Sequence, residues 1–397
     1  MKLSKLLITL ALCLFAPLTI SANGHNSPGP SERQGDMLEA KIARLQADLQ
    51  GGAYGLVDEV LLQQDGKTVF HFRFDRDYDG IVAGQELVDG PFVYNNPKWH
   101  PYYDGTELHT LQSVTKSVTS VLIGILEYRE AIPSAAEARL LDLVSDKYTT
   151  ANRDANFEAL TLEHVLEMRT SLEWDETSDY SPGSTNDAVI LEQETDDWVQ
   201  YVLNKPLEGK PGTSYEYNSG ASQLLSAIIR KASGQQAAEF AEGALFAPLG
   251  IEDYYWKTSP VGESDTLGGL YLKSTDLIKF CELMSSGGMY GGERLLSGDY
   301  VRRSLRYATT FEDHSWSRGY GYQWWLGDHA SDSDTAFSGS GYGGQHPTCW
   351  PATNTALVIF SWNLPDVLGV DESVARTGAS REIRRRIHEE ILPLLGE

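Results

Sequence analysis

Positive charge is what this chain has least of. Its 397 residues carry 32 lysines and arginines against 56 aspartates and glutamates, a formal net charge of −24. That balance would not neutralise a phosphate backbone, so nucleic acid is excluded as a partner. The densest basic cluster, Arg384-Arg385-Arg386, is followed by Glu389 and Glu390 and reads as the solvated face of a terminal helix. Cysteine is nearly absent, with 3 residues in all. One of them, Cys13, lies in the N-terminal apolar run. The other two, Cys281 and Cys349, cannot make a disulfide scaffold, and their spacing matches no metal-ligand motif. Two separate buried thiols are the plainer reading, with a single bridge left open in an oxidising compartment.

Long hydrophobic runs are missing after the first. Lys2 and Lys5 precede the apolar stretch Leu6 to Ile20, and Ser21, Ala22 and Asn23 follow it. This predicts a secretory signal peptide over 1–22, cleaved after Ala22, and hence a periplasmic or secreted protein. The run falls short of the ~20 residues a bilayer span needs and contains Pro17, so no membrane span is expected after processing. Leu12 ahead of Cys13 argues against a lipid-modified cysteine. Residues 23–35, rich in Gly, Pro, Asn and Ser, read as a flexible leader, and 36–397 as one folded domain.

What is present is a mixture of both regular periodicities. Asp36 is a candidate cap for a helix carrying Leu38, Ile42, Leu45 and Leu49 at helical spacing. Gly55 to Gln63 and Thr68 to Asp75 flank Gln64-Asp65-Gly66-Lys67, which predicts a hairpin with an Asp-Gly turn. Further helices are expected over Ser113 to Tyr128, Leu162 to Met168, Asp187 to Leu191, Ala221 to Lys231 and Ser274 to Met284, the last opened by a Ser-Thr-Asp capping signal. Strand character returns over Tyr320 to Leu326 and Thr355 to Trp362, and Ser380 reads as the cap of a final helix. Strands at both ends of a helical middle predict a discontinuous α/β (α+β) core with a helical insertion over roughly 120–300.

Three segments carry chemistry. Gln112-Ser113-Val114-Thr115-Lys116 puts a serine and a lysine on one face at the start of a helix. A serine hydroxyl needs a base to become a nucleophile, and a lysine can serve where its surroundings favour the neutral amine. Alone, Ser-x-x-Lys is weak, since such lysines commonly face solvent. Tyr215-Glu216-Tyr217-Asn218-Ser219-Gly220 feeds a helix, and by itself is an ordinary loop. Gly339-Ser340-Gly341-Tyr342-Gly343-Gly344-Gln345 precedes a strand and permits close backbone approach, or is simply a hairpin edge.

In this order and at these separations the three resemble the serine β-lactamase/penicillin-binding superfamily, particularly its class C-like and esterase branch. The likeness extends through Gly268-Gly269-Leu270, Ser274-Thr275-Asp276-Leu277 and Tyr320-Gly321-Tyr322-Gln323-Trp324-Trp325. Tyr217-Asn218-Ser219-Gly220 with the following Leu224-Leu225 also looks like the 6-aminohexanoate-dimer hydrolases of that branch. The resemblance implies an antiparallel sheet flanked by helices. It also implies acyl transfer through Ser113, with Lys116 and Tyr217 as one proton relay. The oxyanion donors would be the backbone N–H groups of Ser113 and Gln345, with Ser219 bonded to the lysine or the substrate. No metal or organic cofactor is required.

Two departures bear on specificity. Ser219 stands where penicillin-cleaving members carry asparagine, and Tyr342 where they carry a lysine that meets a substrate carboxylate. Tyr342, Gly343 and Gly344 are expected to line the substrate site. Trp174, in the loop with Asp175 and Tyr180, reads either as a pocket wall or as a packed loop anchor. His314, His329 and His346 are expected to be surface or hydrogen-bonded residues without a catalytic part. The implied activity is hydrolysis of an ester, an amide or a peptide-like small molecule. A D-amino-acid peptidase, a weak β-lactamase and a catalytically silent binding or sensor domain are the alternatives. Oligomeric state is not legible.

Overall fold

The computed structural model describes residues 30–395 except 86, 88, 151–154, 178–182, 315 and 365–378. The expected signal peptide, most of the expected leader, and Tyr180 lie outside the described residues.

Helix α1 spans Pro30–Gln50 and so begins inside the segment expected to be a leader. Asp36 is therefore an interior residue of the helix and not its cap; proline suits a helix's first turn, where no N–H is needed. The expected hairpin follows as β1 (Val57–Gln64) and β2 (Lys67–Arg73). Asp65 and Gly66 both sit at positive φ, 51° and 70°, the backbone that a tight two-residue hairpin turn demands.

The remaining strands of the main sheet come late in the chain: β3 (Thr309–Thr310), β4 (Gly319–Tyr320), β5 (Trp325–Asp328), β6 (Ser333–Ser338), β7 (His346–Trp350) and β8 (Thr355–Ser361). They order as β2-β1-β8-β7-β6-β5-β4-β3, with every pairing antiparallel. Tyr320 to Leu326, expected as one strand, is a hairpin. Gln323 takes φ 62° and the Gly321 N–H donates to the Trp324 carbonyl, so the aromatic run folds back on itself.

Both faces of the sheet are covered, and alternation along the central strands sorts the core in two. Val60 and Leu62 of β1, with Leu357 and Ile359 of β8, pack under α1 (Leu45, Leu49) and the C-terminal helix (Ile383, Ile387). Leu61, Val358 and Phe360 point the other way, into the helical region. That region includes α2 (Val114–Tyr128), α3 (Leu162–Leu166), α4 (Asp187–Glu194), α5 (Ser219–Ser233) and α6 (Lys279–Ser285). The structure is thus an antiparallel sheet flanked by helices, with a helical region inserted between its early and late strands. Among the described residues no helix is long and apolar enough to cross a membrane.

Four further expectations are corrected. Cys281 on α6 and Cys349 on β7 form a disulfide, with Cα atoms 5.4 Å apart, because α6 packs against the sheet face to which Cys349 points. Ser274 caps nothing; its hydroxyl donates to the Glu59 carboxylate on β1. Ser380 lies within α7 (Ala379–Arg386), one residue past its start. The basic cluster on α7 is not a solvated face: Arg384 is fully buried and paired with Asp328, and Arg386 is buried against Asp48 and Tyr54.

Candidate active site

Gln112 holds φ at 48°, a left-handed conformation that turns the chain abruptly into α2. Two bonds pin this entry from outside: the Leu111 N–H donates to the Leu270 carbonyl, and the Leu270 N–H donates to Thr115 Oγ1. Ser113 is left half-buried at the helix start, whereas Lys116, one turn on, is 1% exposed. The i, i+3 spacing then brings Lys116 Nζ to 2.8 Å from Ser113 Oγ. Nζ also donates to the Leu267 carbonyl at 2.7 Å, which fixes the long side chain. The backbone N–H of Ser113 donates to nothing among the described residues.

The second segment enters α5 through Asn218, whose Oδ1 caps the helix by accepting the Ala221 N–H at 2.7 Å. That cap turns Tyr217 back toward α2, and its ring centroid lies 5.2 Å from Lys116 Nζ. Gln323 at the hairpin of β4 and β5 ties the elements together. Its side chain donates to the carbonyls of Val165 and Leu166 and accepts from Ser222 on α5, while its own carbonyl accepts from Ser117 on α2. Ser113, Lys116 and Tyr217 are thereby drawn to one place from segments about a hundred residues apart.

Ser219 does not reach the lysine. Its hydroxyl and its N–H both donate to the Glu176 carboxylate, at 2.6 and 2.8 Å. Trp174 donates its indole N–H to the same carboxylate at 2.8 Å. The Trp174 ring is 5% exposed and lies against Gly220, where an added Cβ would come within 2.5 Å of it. Of the two readings for Trp174, burial favours the packed anchor. Glu176 itself was not singled out from sequence; its place two residues past a loop tryptophan was the available signal.

The glycine-rich segment packs directly on the turn that carries Ser113. A Cβ on Gly341 would meet the Leu111 carbonyl at 2.4 Å, and one on Gly339 would meet Val114 at 3.0 Å. Gly343 and Gly344 turn the chain at φ 84° and 101°. The Gln345 N–H, expected as an oxyanion donor, is directed at the Gly341 carbonyl at 3.2 Å. The Gln345 side chain is structural: Nε2 donates to the Tyr342 and Ser361 carbonyls at 2.9 and 2.8 Å. Tyr342 is half-buried, 5.8 Å from the Tyr94 ring and packed beside Trp362 and Leu364.

Behind Lys116 lies a set of buried charges that sequence reasoning missed. Asp265 Oδ1 accepts the N–H groups of Leu267 and Gly268, at 3.1 and 2.9 Å, and so shapes the turn that offers the Leu267 carbonyl to Lys116. Its Oδ2 has no hydrogen-bond partner among the described residues, and burial raises its pKa against the pull of Lys257 and Lys116. Burial lowers the pKa of Lys257, which donates to the Pro91 carbonyl. Glu192 on α4 is pushed up to about 8, by burial first and by the charge of Asp265 second; Tyr94 donates to it. The signal for Asp265 was an aspartate two residues ahead of an N–H in a Gly-Gly turn, an Asx-turn pattern. Among the described residues no group of His, Cys, Asp and Glu could hold a metal ion.

An antiparallel sheet with a helical insertion, and a serine held against a buried lysine beneath a tyrosine, defines a protein of the serine-hydrolase type. The profile of the family described as Beta-lactamase matches residues 42–373, and the chain belongs to that family. Its fold is shared by solved structures of low sequence identity. A candidate 6-aminohexanoate-dimer hydrolase from Bacillus anthracis is 21% identical, with a TM-score of 0.62 over 89% of this chain and 83% of that one. EstCE1, a hydrolase with promiscuous acyltransferase activity, is 12% identical, with a TM-score of 0.64 over 89% and 99%. A family VIII carboxylesterase is 14% identical, with a TM-score of 0.59 over 87% and 97%.

Proposed function

We propose that the protein is an exported hydrolase of small, uncharged esters or amides that works through an acyl-enzyme on Ser113. The observation that carries this is the 2.8 Å approach of Lys116 Nζ to Ser113 Oγ beneath the Tyr217 ring. As Oγ attacks the carbonyl carbon, its proton passes to the lone pair of the Lys116 amine, and the carbonyl oxygen becomes an oxyanion. When the intermediate collapses, the leaving group takes a proton through Tyr217, which regains one from Lys116. Water then attacks the ester on Ser113 while giving a proton to the Lys116–Tyr217 pair, and as the acid leaves that proton returns to Ser113 Oγ. The Ser113 N–H is the first oxyanion donor. The Gln345 N–H is the second, sharing its bond with the Gly341 carbonyl; such a donor is worth on the order of 3 kcal/mol in the transition state.

Selectivity follows from charge. Tyr342 supplies no cation where penicillin-cleaving relatives place one, and Glu176 adds a carboxylate at Ser219. A substrate carboxylate is therefore unwelcome, and neutral esters are favoured over cephalosporins. The esterase and hydrolase descriptions of two of the similar structures point the same way. The apolar N-terminal run and the Cys281–Cys349 disulfide support export to an oxidising compartment.

The test is an active-site-directed fluorophosphonate followed by intact mass, with turnover of a neutral ester and a chromogenic cephalosporin measured alongside. Wild type is expected to take one adduct and S113A none, with kcat/KM higher for the ester. A folded S113A protein that keeps full turnover would refute the assignment.

A further inference from the structure

Next to Tyr217 stands a run of aromatic rings that the acyl-transfer chemistry does not use. Trp325 opens β5, and its ring centroid is 5.9 Å from that of Tyr217, with the planes 19° apart. On His314 the same indole is stacked at 5.1 Å and 20°. Phe311 completes the set, 5.0 Å from His314 and 6.0 Å from Trp325. Phe311, His314 and Trp325 are each half-exposed, as Tyr217 is. Beneath them Trp316 and Tyr320 are buried, 4.7 and 4.9 Å from the Trp325 ring. The result is an aromatic ledge with a rigid backing and a wet edge, continuous with the tyrosine of the proton relay.

His314 makes this ledge uncharged. The Ser317 N–H donates to its Nδ1 at 3.2 Å, so the lone pair sits on Nδ1 and the ring proton on Nε2. Burial, with His329 second, holds its pKa below the usual histidine range and keeps the imidazole neutral. No group among the described residues engages Nε2, which leaves one N–H at the ledge for a ligand.

Tyr217 hands its proton to the leaving atom, so that atom comes within hydrogen-bond reach of the Tyr217 hydroxyl. Whatever is attached to it extends over the surface adjoining that ring. We infer that Phe311, His314 and Trp325 form the leaving-group subsite, and that it selects planar, uncharged aromatic leaving groups, such as a phenol or an arylamine. This rests on Ser113 as nucleophile and Tyr217 as proton donor. Aromatic faces stack on aromatic ligands in offset or edge-on arrangements that an alkyl group of similar area does not match. The neutral Nε2–H of His314 adds a donor for an oxygen substituent on the ring.

The experiment compares phenyl acetate with an activated alkyl ester, trifluoroethyl acetate, in wild type, W325L, W325F and H314A. Both esters give the same acetyl-enzyme, and their intrinsic reactivities cancel when the aryl-to-alkyl ratio of kcat/KM is compared between proteins. W325L is expected to lower that ratio about fivefold, mainly through KM for the aryl ester, and W325F to restore most of it. H314A should lower it about twofold, and carries the comparison if W325L does not fold. Equal losses on both esters would mean that Trp325 merely supports Tyr217, and would overturn the subsite; so would an unchanged ratio. A wild-type protein that takes no fluorophosphonate and cleaves neither ester overturns the acyl-enzyme reading itself, and the subsite with it.

Discussion

At Gly220 the second motif is packed as closely as a side chain permits. A Cβ there would lie 2.5 Å from two ring atoms of Trp174 and 2.7 Å from a Val202 methyl. Neither neighbour is the free end of a flexible chain, so the strain would fall on the start of α5. Gly220→Ala is expected to cost about 1–3 kcal/mol, read as a lower melting temperature, and to lower kcat, because Tyr217 is held by the same helix entry. A G220A protein as stable and active as wild type would show that this packing is slack. The motif residues themselves were legible: Ser113, Lys116 and Tyr217 are types whose spacing and order carry information. Glu176 was not, because an acidic residue in a loop has no pattern until a fold places Ser219 and Trp174 against it. Asp265 is similar, since only its turn and the lysine opposite give it meaning.

Elements differ in how well their ends could be read. The hairpin of β1 and β2 was clear because Asp-Gly at left-handed φ is required by the turn itself. The turn at Gln323 was hidden, since a run of aromatics reads as strand and the positive φ is imposed by bonds to three helices. The pairing of Cys281 with Cys349 belongs to the same scale, because it joins a helix to a strand that is not its neighbour in sequence. The sequence separation of 68 residues makes the closed loop long, and the bridge restrains the unfolded chain accordingly. Replacing both cysteines by alanine is expected to remove roughly 2–4 kcal/mol of stability. Denaturant melts with and without reductant measure this. If reduction leaves the wild-type midpoint unchanged, the bridge is absent in solution or carries no stability.

Across the whole molecule, segments far apart in sequence share a buried ionisable centre. Glu192 of α4 faces Tyr94, and it feels the charges of Asp265, Lys257 and Lys116 from other elements. Its folded pKa of about 8 is above the unfolded carboxyl value of about 4.3. Between those values the folded protein holds a proton that the unfolded chain releases. This group's contribution to stability is therefore full below pH ~4.3 and is lost as pH rises toward 8, at up to about 1.4 kcal/mol per pH unit. Glu192→Gln keeps an acceptor for Tyr94 but cannot ionise. Its stability should fall less than that of wild type between pH 5 and pH 8, on the order of the range where the group titrates. Parallel melting curves for the two proteins across that range would leave Glu192 with an ordinary pKa.

The chain by itself determined the α/β class, the helical insertion, the hairpin and the three side chains, Ser113, Lys116 and Tyr217, that the fold brings together. Each of these is written in a local pattern: a period of two or of 3.6, a turn dipeptide, or residue types at fixed spacing. Only the tertiary structure decided that the two cysteines meet, that Arg384 is buried on Asp328, that Ser219 belongs to Glu176, and that Trp325 stacks beside Tyr217. These are contacts between segments far apart in sequence. Their partners are chosen by which faces the folded elements bury together, and a one-dimensional pattern does not carry that choice.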